Sequence, residues 1–277
     1  MMKTALVQLC SGDDPQANLA VTKGFVAEAA ARGAGFILTP EVTNIIFGSR
    51  SHQNEVLQHQ DDDLTLAGLR EQAAALGVWL SIGSLALKTN DADGRFANRS
   101  FLIAPDGSIR AWYDKIHMFD VQVTATETFR ESAGYRPGAR AVVADTPFGC
   151  VGLSICYDVR FGYLHRALAQ AGAEILTIPA AFSPATGKHH WQPLLQARAI
   201  ETGSYVLAAA QTGTHHTTRG PKRQTYGHSM AISPWGEVLL DAGVEPGIHI
   251  FDMDDTSVAA ARRKVPALTH DRKFDGP

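Results

Sequence analysis

Cysteine is scarce in this chain, with three in 277 residues. So small and odd a number argues against a disulfide framework and fits a reducing compartment, so a cytoplasmic protein is expected. Long apolar runs are missing as well. No stretch approaches the roughly 18 residues that a membrane helix needs. The opening run Ala5-Leu6-Val7-Gln8-Leu9-Cys10 is too short for a signal peptide, and Asp13-Asp14 follows closely. Charge of one sign is also lacking: 25 Lys+Arg against 28 Asp+Glu leave a net charge of -3, which offers nothing to nucleic acid or an anionic membrane. The chain has no low-complexity tract, short-period repeat or linker. What it does have is an ordinary globular balance, 45% hydrophobic and 19% charged, that supports a substantial core.

Strand-like and helix-like segments alternate throughout. Residues 4–10 read as a buried strand, and Asn18 is placed to cap a helix over 19–32. Residues 36–39 form a second strand ending at Pro40-Glu41. Leu66, Leu69, Ala73 and Leu76 predict a helix over 64–76, stopped by Gly77, with a strand over 78–82. Pro105-Asp106-Gly107 joins strands 99–104 and 108–113 in a hairpin. A long irregular stretch, about 115–141, is a place to look for a site. Strands over 174–179 and 205–210 flank a helix over 191–201, and a second hairpin turns at Ser233-Pro234-Trp235-Gly236. The mixture predicts an α/β protein in which helices cover sheets.

The most informative residue is Cys156. An apolar strand, 151–155, ends on this thiol, and Tyr157-Asp158 and a helix-spaced segment follow. Amides of a first helical turn would face the thiol there and favour its thiolate. Cys10 and Cys150 read as packing residues. Glu41 and Lys115 likewise follow strand ends, in Thr39-Pro40-Glu41 and Tyr113-Asp114-Lys115-Ile116-His117. Three strand ends could bring a base, a cation and a nucleophile to one rim, the set that thiol-based amide hydrolysis requires.

These three motifs, in this order, resemble those of the nitrilase superfamily of carbon-nitrogen hydrolases, over nearly the whole chain. Ala169-Gln170-Ala171-Gly172-Ala173-Glu174-Ile175-Leu176, His190-Trp191, Ala197-Arg198-Ala199-Ile200-Glu201-Thr202, Ala208-Ala209-Ala210-Gln211 and Tyr226-Gly227-His228-Ser229-Met230, leading to Pro234-Trp235-Gly236, are most similar to its deaminated-glutathione amidase branch. The resemblance implies one domain over 1–277, a four-layer α-β-β-α sandwich, no metal or organic cofactor, and a homodimer or higher homo-oligomer. It also implies roles. Glu41 is the general base, Cys156 the nucleophile, and Lys115 with the backbone amide of Tyr157 the oxyanion stabiliser. A second glutamate orients the lysine; Phe129-Arg130-Glu131-Ser132 assigns it to Glu131, with Glu127 the nearby alternative. A lysine between two carboxylates should stay protonated.

The implied substrate is a small carboxylate-bearing amide, deaminated glutathione split to 2-oxoglutarate and cysteinylglycine. An omega-amide of a keto acid or an N-carbamoyl amino acid is the alternative. Arg160 would fork onto the substrate carboxylate, although an ion pair with Asp158 or another acid accounts for it equally. Phe182 and Thr186, in the loop after strand 174–179, would wall the same pocket. The sequence departs from the family at Gly162-Tyr163, where many relatives carry Pro-Glu. A non-catalytic assembly subunit of the same fold is the reading from another class. A Cys-His protease using His117 or His228 would leave Glu41 and Lys115 idle. The pairs His189-His190 and His215-His216 have no zinc-site spacing. The basic loop from Arg219 to Arg223 reads as solvated.

Overall fold

The computed structural model describes residues 1–123 and 127–276; residues 124–126 of the irregular stretch lie outside them. In chain order the elements are β1 (Met2–Gln8), α1 (Pro15–Ala31), β2 (Phe36–Leu38), α2 (Arg50–Val56), α3 (Leu64–Leu76), β3 (Trp79–Leu87), β4 (Ala97–Ile103), β5 (Ile109–Asp114), β6 (Asp120–Gln122), β7 (Thr128–Arg130), β8 (Val142–Thr146), β9 (Gly149–Leu153), α4 (Gly162–Gln170), β10 (Ile175–Thr177), α5 (Pro184–Thr202), β11 (Tyr205–Ala208), β12 (Thr212–Thr214), β13 (Gln224–Tyr226), β14 (Met230–Ile232), β15 (Val238–Asp241), β16 (Gly247–Met253) and α6 (Ser257–Lys264). Two six-stranded sheets run β16-β1-β2-β3-β4-β5 and β15-β14-β11-β10-β9-β8. No helix among the described residues is long and apolar enough to cross a membrane.

Period-2 alternation divides each strand between two layers. Along β1, Ala5 and Val7 pack with Val26 and Ala29 of α1 and with Leu66, Leu69 and Ala73 of α3. The intervening Leu6 joins Phe36, Leu38, Leu102 and Tyr113 in the core shared with Val151 and Leu153 of the second sheet. Leu164 and Leu168 of α4 and Trp191, Leu195 and Ala199 of α5 extend that core on the second sheet's side. The result is the expected four-layer α-β-β-α sandwich.

Helix α3 has the predicted bounds: Asp63 caps it, accepting from Leu66 N at 2.8 Å, and Gly77 ends it at φ 65, a left-handed conformation that costs glycine nothing. Two helices begin earlier than the sequence reading has them. Asp14 caps α1, accepting from the amides of Gln16 and Ala17, with Pro15 in the first helical position. Asn18 is therefore no cap; it clamps Gly12 and the Asn44 carbonyl instead. α5 starts at Pro184 and contains Pro193. Cys10 is exposed and Cys150 half-buried, so neither fills the core.

At Gly83 the backbone of the two sheets crowds together. A Cβ there would stand 2.1 Å from the Thr39 carbonyl and 2.5 Å from both the Pro40 carbonyl and Pro179 Cβ. Only glycine lets β3 pass beneath the two loops that follow β2 and β10.

Candidate active site

Glu41, Lys115 and Cys156 all sit on that rim, and local bonds fix each one. The turn after β2 is pinned to β3: Val42 N donates to Ser84 Oγ at 2.8 Å and Thr43 N to the Ser84 carbonyl at 2.9 Å. Val42 adopts φ 47, an outlier for a β-branched residue. Lys115 leaves the end of β5 with its amide bonded to the Asn98 carbonyl at 3.0 Å. Cys156 opens a short 3-10 turn, Cys156–Arg160, at φ 49, with its amide on the Pro179 carbonyl at 2.9 Å. Strained backbone at Cys156 and at Val42, next to Glu41, is the kind that surrounding bonds must hold in place.

Asp158 does much of that holding. Fully buried, it accepts from Ile155 N and Tyr113 Oη, both at 2.8 Å, and from His117 N at 3.1 Å, with His117 Nδ1 at 2.6 Å. It thus ties the cysteine turn to the two residues that flank Lys115 at a spacing of two. His117 is taken up by Asp158 and stacked on Phe161, and His228 faces Asp241, so neither histidine serves the thiol.

The charged groups meet in the interior. Lys115 Nζ donates to Glu41 Oε1 at 2.8 Å and lies 2.9 Å from both Glu131 oxygens. Lys115 and Glu41 are only 2% and 4% exposed, so solvent and salt screen their pairing little. Of the two candidate glutamates it is Glu131 that reaches the lysine; the Glu127 carboxylate accepts from Ser183 Oγ. Asn98 Nδ2 donates to Glu41 Oε1 at 2.9 Å, and Ala181 N holds the other Glu41 oxygen at 2.8 Å. Phe119 N fixes Glu131 at 2.6 Å.

Burial works against the Lys115 ammonium, but Glu131 and Glu41 outweigh it and hold its pKa well above the ordinary lysine value. Burial opposes the Glu41 carboxylate too, yet Lys115, with help from Arg223 and a hydrogen bond from Cys156, keeps it ionised below the usual range. For Cys156, burial and then the Glu41 charge push the thiol well up, against the pull of Lys115. The expected thiolate is thus corrected. The resting nucleophile is a thiol beside an ionised carboxylate, because burial and the Glu41 charge outweigh Lys115.

A cavity of about 380 Å³ opens onto these groups. Phe47, Arg50, Gln53, Phe129, Tyr135 and Arg223 line it beside Glu41, Asn98, Lys115, Glu131 and Cys156. Sequence reasoning missed Asn98, Arg223 and the α2 pair Arg50 and Gln53. A lone amide inside the apolar strand pattern around Asn98 was the available signal, since a buried amide needs partners. Arg223 is not a solvated loop charge; it is half-buried on the cavity wall.

The expected substrate-binding residues divide. Arg160 lies 5.5 Å from the Phe182 ring and 5.8 Å from the Tyr157 ring, with His190 Nδ1 at 3.3 Å, so these three form one group beside the nucleophile. The group does not line the cavity, and Asp158 is occupied elsewhere rather than paired with Arg160. Thr186 is in the first turn of α5, not in a loop, and its hydroxyl donates to the Ser183 carbonyl. Among the described residues no cluster of three or more His, Cys, Asp or Glu is arranged to hold a metal ion.

Comparison with known proteins assigns the chain to a family. The carbon-nitrogen hydrolase family model matches residues 3–263. Deaminated glutathione amidase of Yersinia enterocolitica is 38% identical over 269 residues, covering 97% of this chain and 92% of the relative. The Homo sapiens protein of that name is 38% identical over 271 residues, covering 97% and 81%. The crystal structure of the C. elegans NitFhit protein superposes with TM-score 0.89 at 34% identity, over 98% of this chain and 65% of that one. Saccharomyces cerevisiae Nit3, a nitrilase-superfamily member, gives 0.84 at 26% identity, over 99% and 97%. The chain belongs to the carbon-nitrogen hydrolase family.

Proposed function

We propose that the whole chain, 1–277, acts as one amidase unit that hydrolyses deaminated glutathione through a thioester on Cys156. The observation that carries this reading is the ionised Glu41 held between the Lys115 ammonium, the Ala181 amide and the Cys156 thiol. Glu41 takes the thiol proton, and the sulfur attacks the amide carbon. The carbonyl electron pair moves onto oxygen, where the Lys115 ammonium and the Tyr157 amide stabilise it. Collapse expels the amine, which takes the proton back from Glu41 and leaves the acyl group on sulfur. Glu41 then accepts a proton from water as the water oxygen attacks the thioester, and returns it to the departing thiolate. Glu131 keeps Lys115 charged and aimed throughout. Arg160, framed by Tyr157 and Phe182, holds the acyl chain's carboxylate.

The relatives that carry the deaminated glutathione amidase name support the choice of substrate. Release of 2-oxoglutarate from that compound by the purified protein, and not by Cys156→Ala, is the expected result. Equal release by both proteins, or none by the wild type, removes the proposal. A cytoplasmic setting fits a nucleophile that must stay reduced, with all three cysteines free. Ile200 and Trp235, 59% and 53% exposed, form an apolar surface suited to a homo-oligomer; light scattering of the purified chain tests that part.

A further inference from the structure

The amide cleaved in the proposed reaction joins an acyl chain to a leaving amine, and each half of deaminated glutathione ends in a carboxylate. Resting on that reading, a substrate of this shape needs two cationic anchors, one on either side of the thiol, because a carboxylate drawn out of water without a partner is costly. Arg160 stands with Tyr157 and Phe182, outside the cavity. The cavity has two arginines of its own. Arg50 is committed: it donates to the Gly134 and Gly94 carbonyls at 2.8 and 3.2 Å, and its guanidinium lies 3.9 Å over the Phe96 ring. Arg223 is not. Among the described residues its side chain donates only to the Ala181 carbonyl, at 3.0 Å, and it pairs with no carboxylate. A guanidinium carries five N–H donors, so a fork is left for a ligand carboxylate.

The neighbouring wall suits an organic leaving group: the Phe129 ring lies 6.0 Å from the Arg223 guanidinium, and both line the cavity with Tyr135. Size agrees: ammonia, at about the 30 Å³ of a water molecule, would leave most of the cavity of about 380 Å³ unfilled.

We infer that the cavity wall made by Phe129, Tyr135 and Arg223 is the leaving-group subsite, and that Arg223 grips a carboxylate on the departing amine. The enzyme then selects anionic, peptide-like amines over ammonia. The measurement is kcat/KM for deaminated glutathione divided by that for 2-oxoglutaramate, whose leaving group is ammonia. Arg223→Gln should lower this ratio roughly 10- to 100-fold, mainly through KM for the larger substrate, and Arg223→Lys should restore part of it. An unchanged ratio, whether both substrates suffer equally or neither does, overturns the inference, since Arg223 would then act only through the charge it places near Glu41.

Turnover of neither substrate by the wild type would sink the proposed function but not the subsite, which binding then decides. S-methylcysteinylglycine should slow alkylation of Cys156 by iodoacetamide, read by mass spectrometry of the Cys156 peptide. Its C-terminal amide should protect far less, and Arg223→Gln should remove the difference. Equal protection by the acid and the amide, or none by either, overturns the subsite.

Discussion

In the first sheet an antiparallel edge, β16, precedes the parallel run β1-β2-β3 and then two antiparallel strands, β4 and β5. In the second, β8, the parallel run β9-β10-β11, and then β14 and β15 repeat that order. By this correspondence the segment after β1 matches the segment after β9, and each carries a cysteine. Cys10 is exposed, its sulfur 3.6 Å from the Thr214 carbonyl. Cys156 is buried and faces an ionised carboxylate. The segments after β2 and β10 correspond too: one carries Glu41, the other the Ala181 amide that holds it. Layout therefore offers two equivalent rims, and reactivity arises only where each sheet supplies what the other lacks.

The sharpest way to break this division of labour is to remove the first sheet's cation. Lys115→Met would leave Glu41 and Glu131 buried without their counter-charge. It should cost roughly 100- to 1,000-fold in kcat and about 3–5 kcal/mol of stability, read by steady-state kinetics and urea unfolding. Retained activity would mean that the lysine is structural.

A smaller effect is expected where the loops cross. Gly83→Ala would drive a methyl into the Thr39 and Pro40 carbonyls and Pro179, destabilising by about 1–3 kcal/mol and displacing Glu41. The urea midpoint and kcat should fall together; a midpoint shift with kcat intact would uncouple the crossing from the site.

A third effect is confined to acid pH. His165 bonds Ser154 and the Phe161 carbonyl beneath the cysteine turn, and burial lowers its pKa to about 4. The folded state holds it neutral, whereas the unfolded chain takes a proton below about 6.5. Its contribution is thus complete above pH 6.5 and is lost as pH falls toward 4, on the order of 3 kcal/mol. His165→Gln should flatten that acid limb of Tm against pH. Cys10→Ala, at the corresponding rim, should change neither activity nor Tm; an activity loss there would end the contrast between the cysteines.

Much of this was legible in the sequence. The bounds of α3, the Asp-Gly hairpin and the rim carrying Glu41, Lys115 and Cys156 follow from periodicity, turn chemistry and motif order. The early starts of α1 and α5 were also written there, as Asp14-Pro15 and Ser183-Pro184, a capping residue before a proline that suits the first helical position. Reading those helices from apolar spacing alone passed over them. Arg223 and the protonated thiol were not legible. An arginine in an aperiodic loop gains meaning only from the wall it joins, and a thiol's pKa depends on burial and on a carboxylate over a hundred positions upstream.

Lys115, clasped by Glu41 and Glu131, also governs how electricity moves through the site. With the thiol protonated, these three groups carry one surplus negative charge. Proton transfer to Glu41 relocates that charge from oxygen to sulfur, and attack passes it to the carbonyl oxygen, without altering its amount. No ion is created or discharged inside the protein during acylation, so nothing needs to be exchanged with the medium. Ionic strength should therefore govern the capture of anionic substrates at the rim and leave the chemical step untouched.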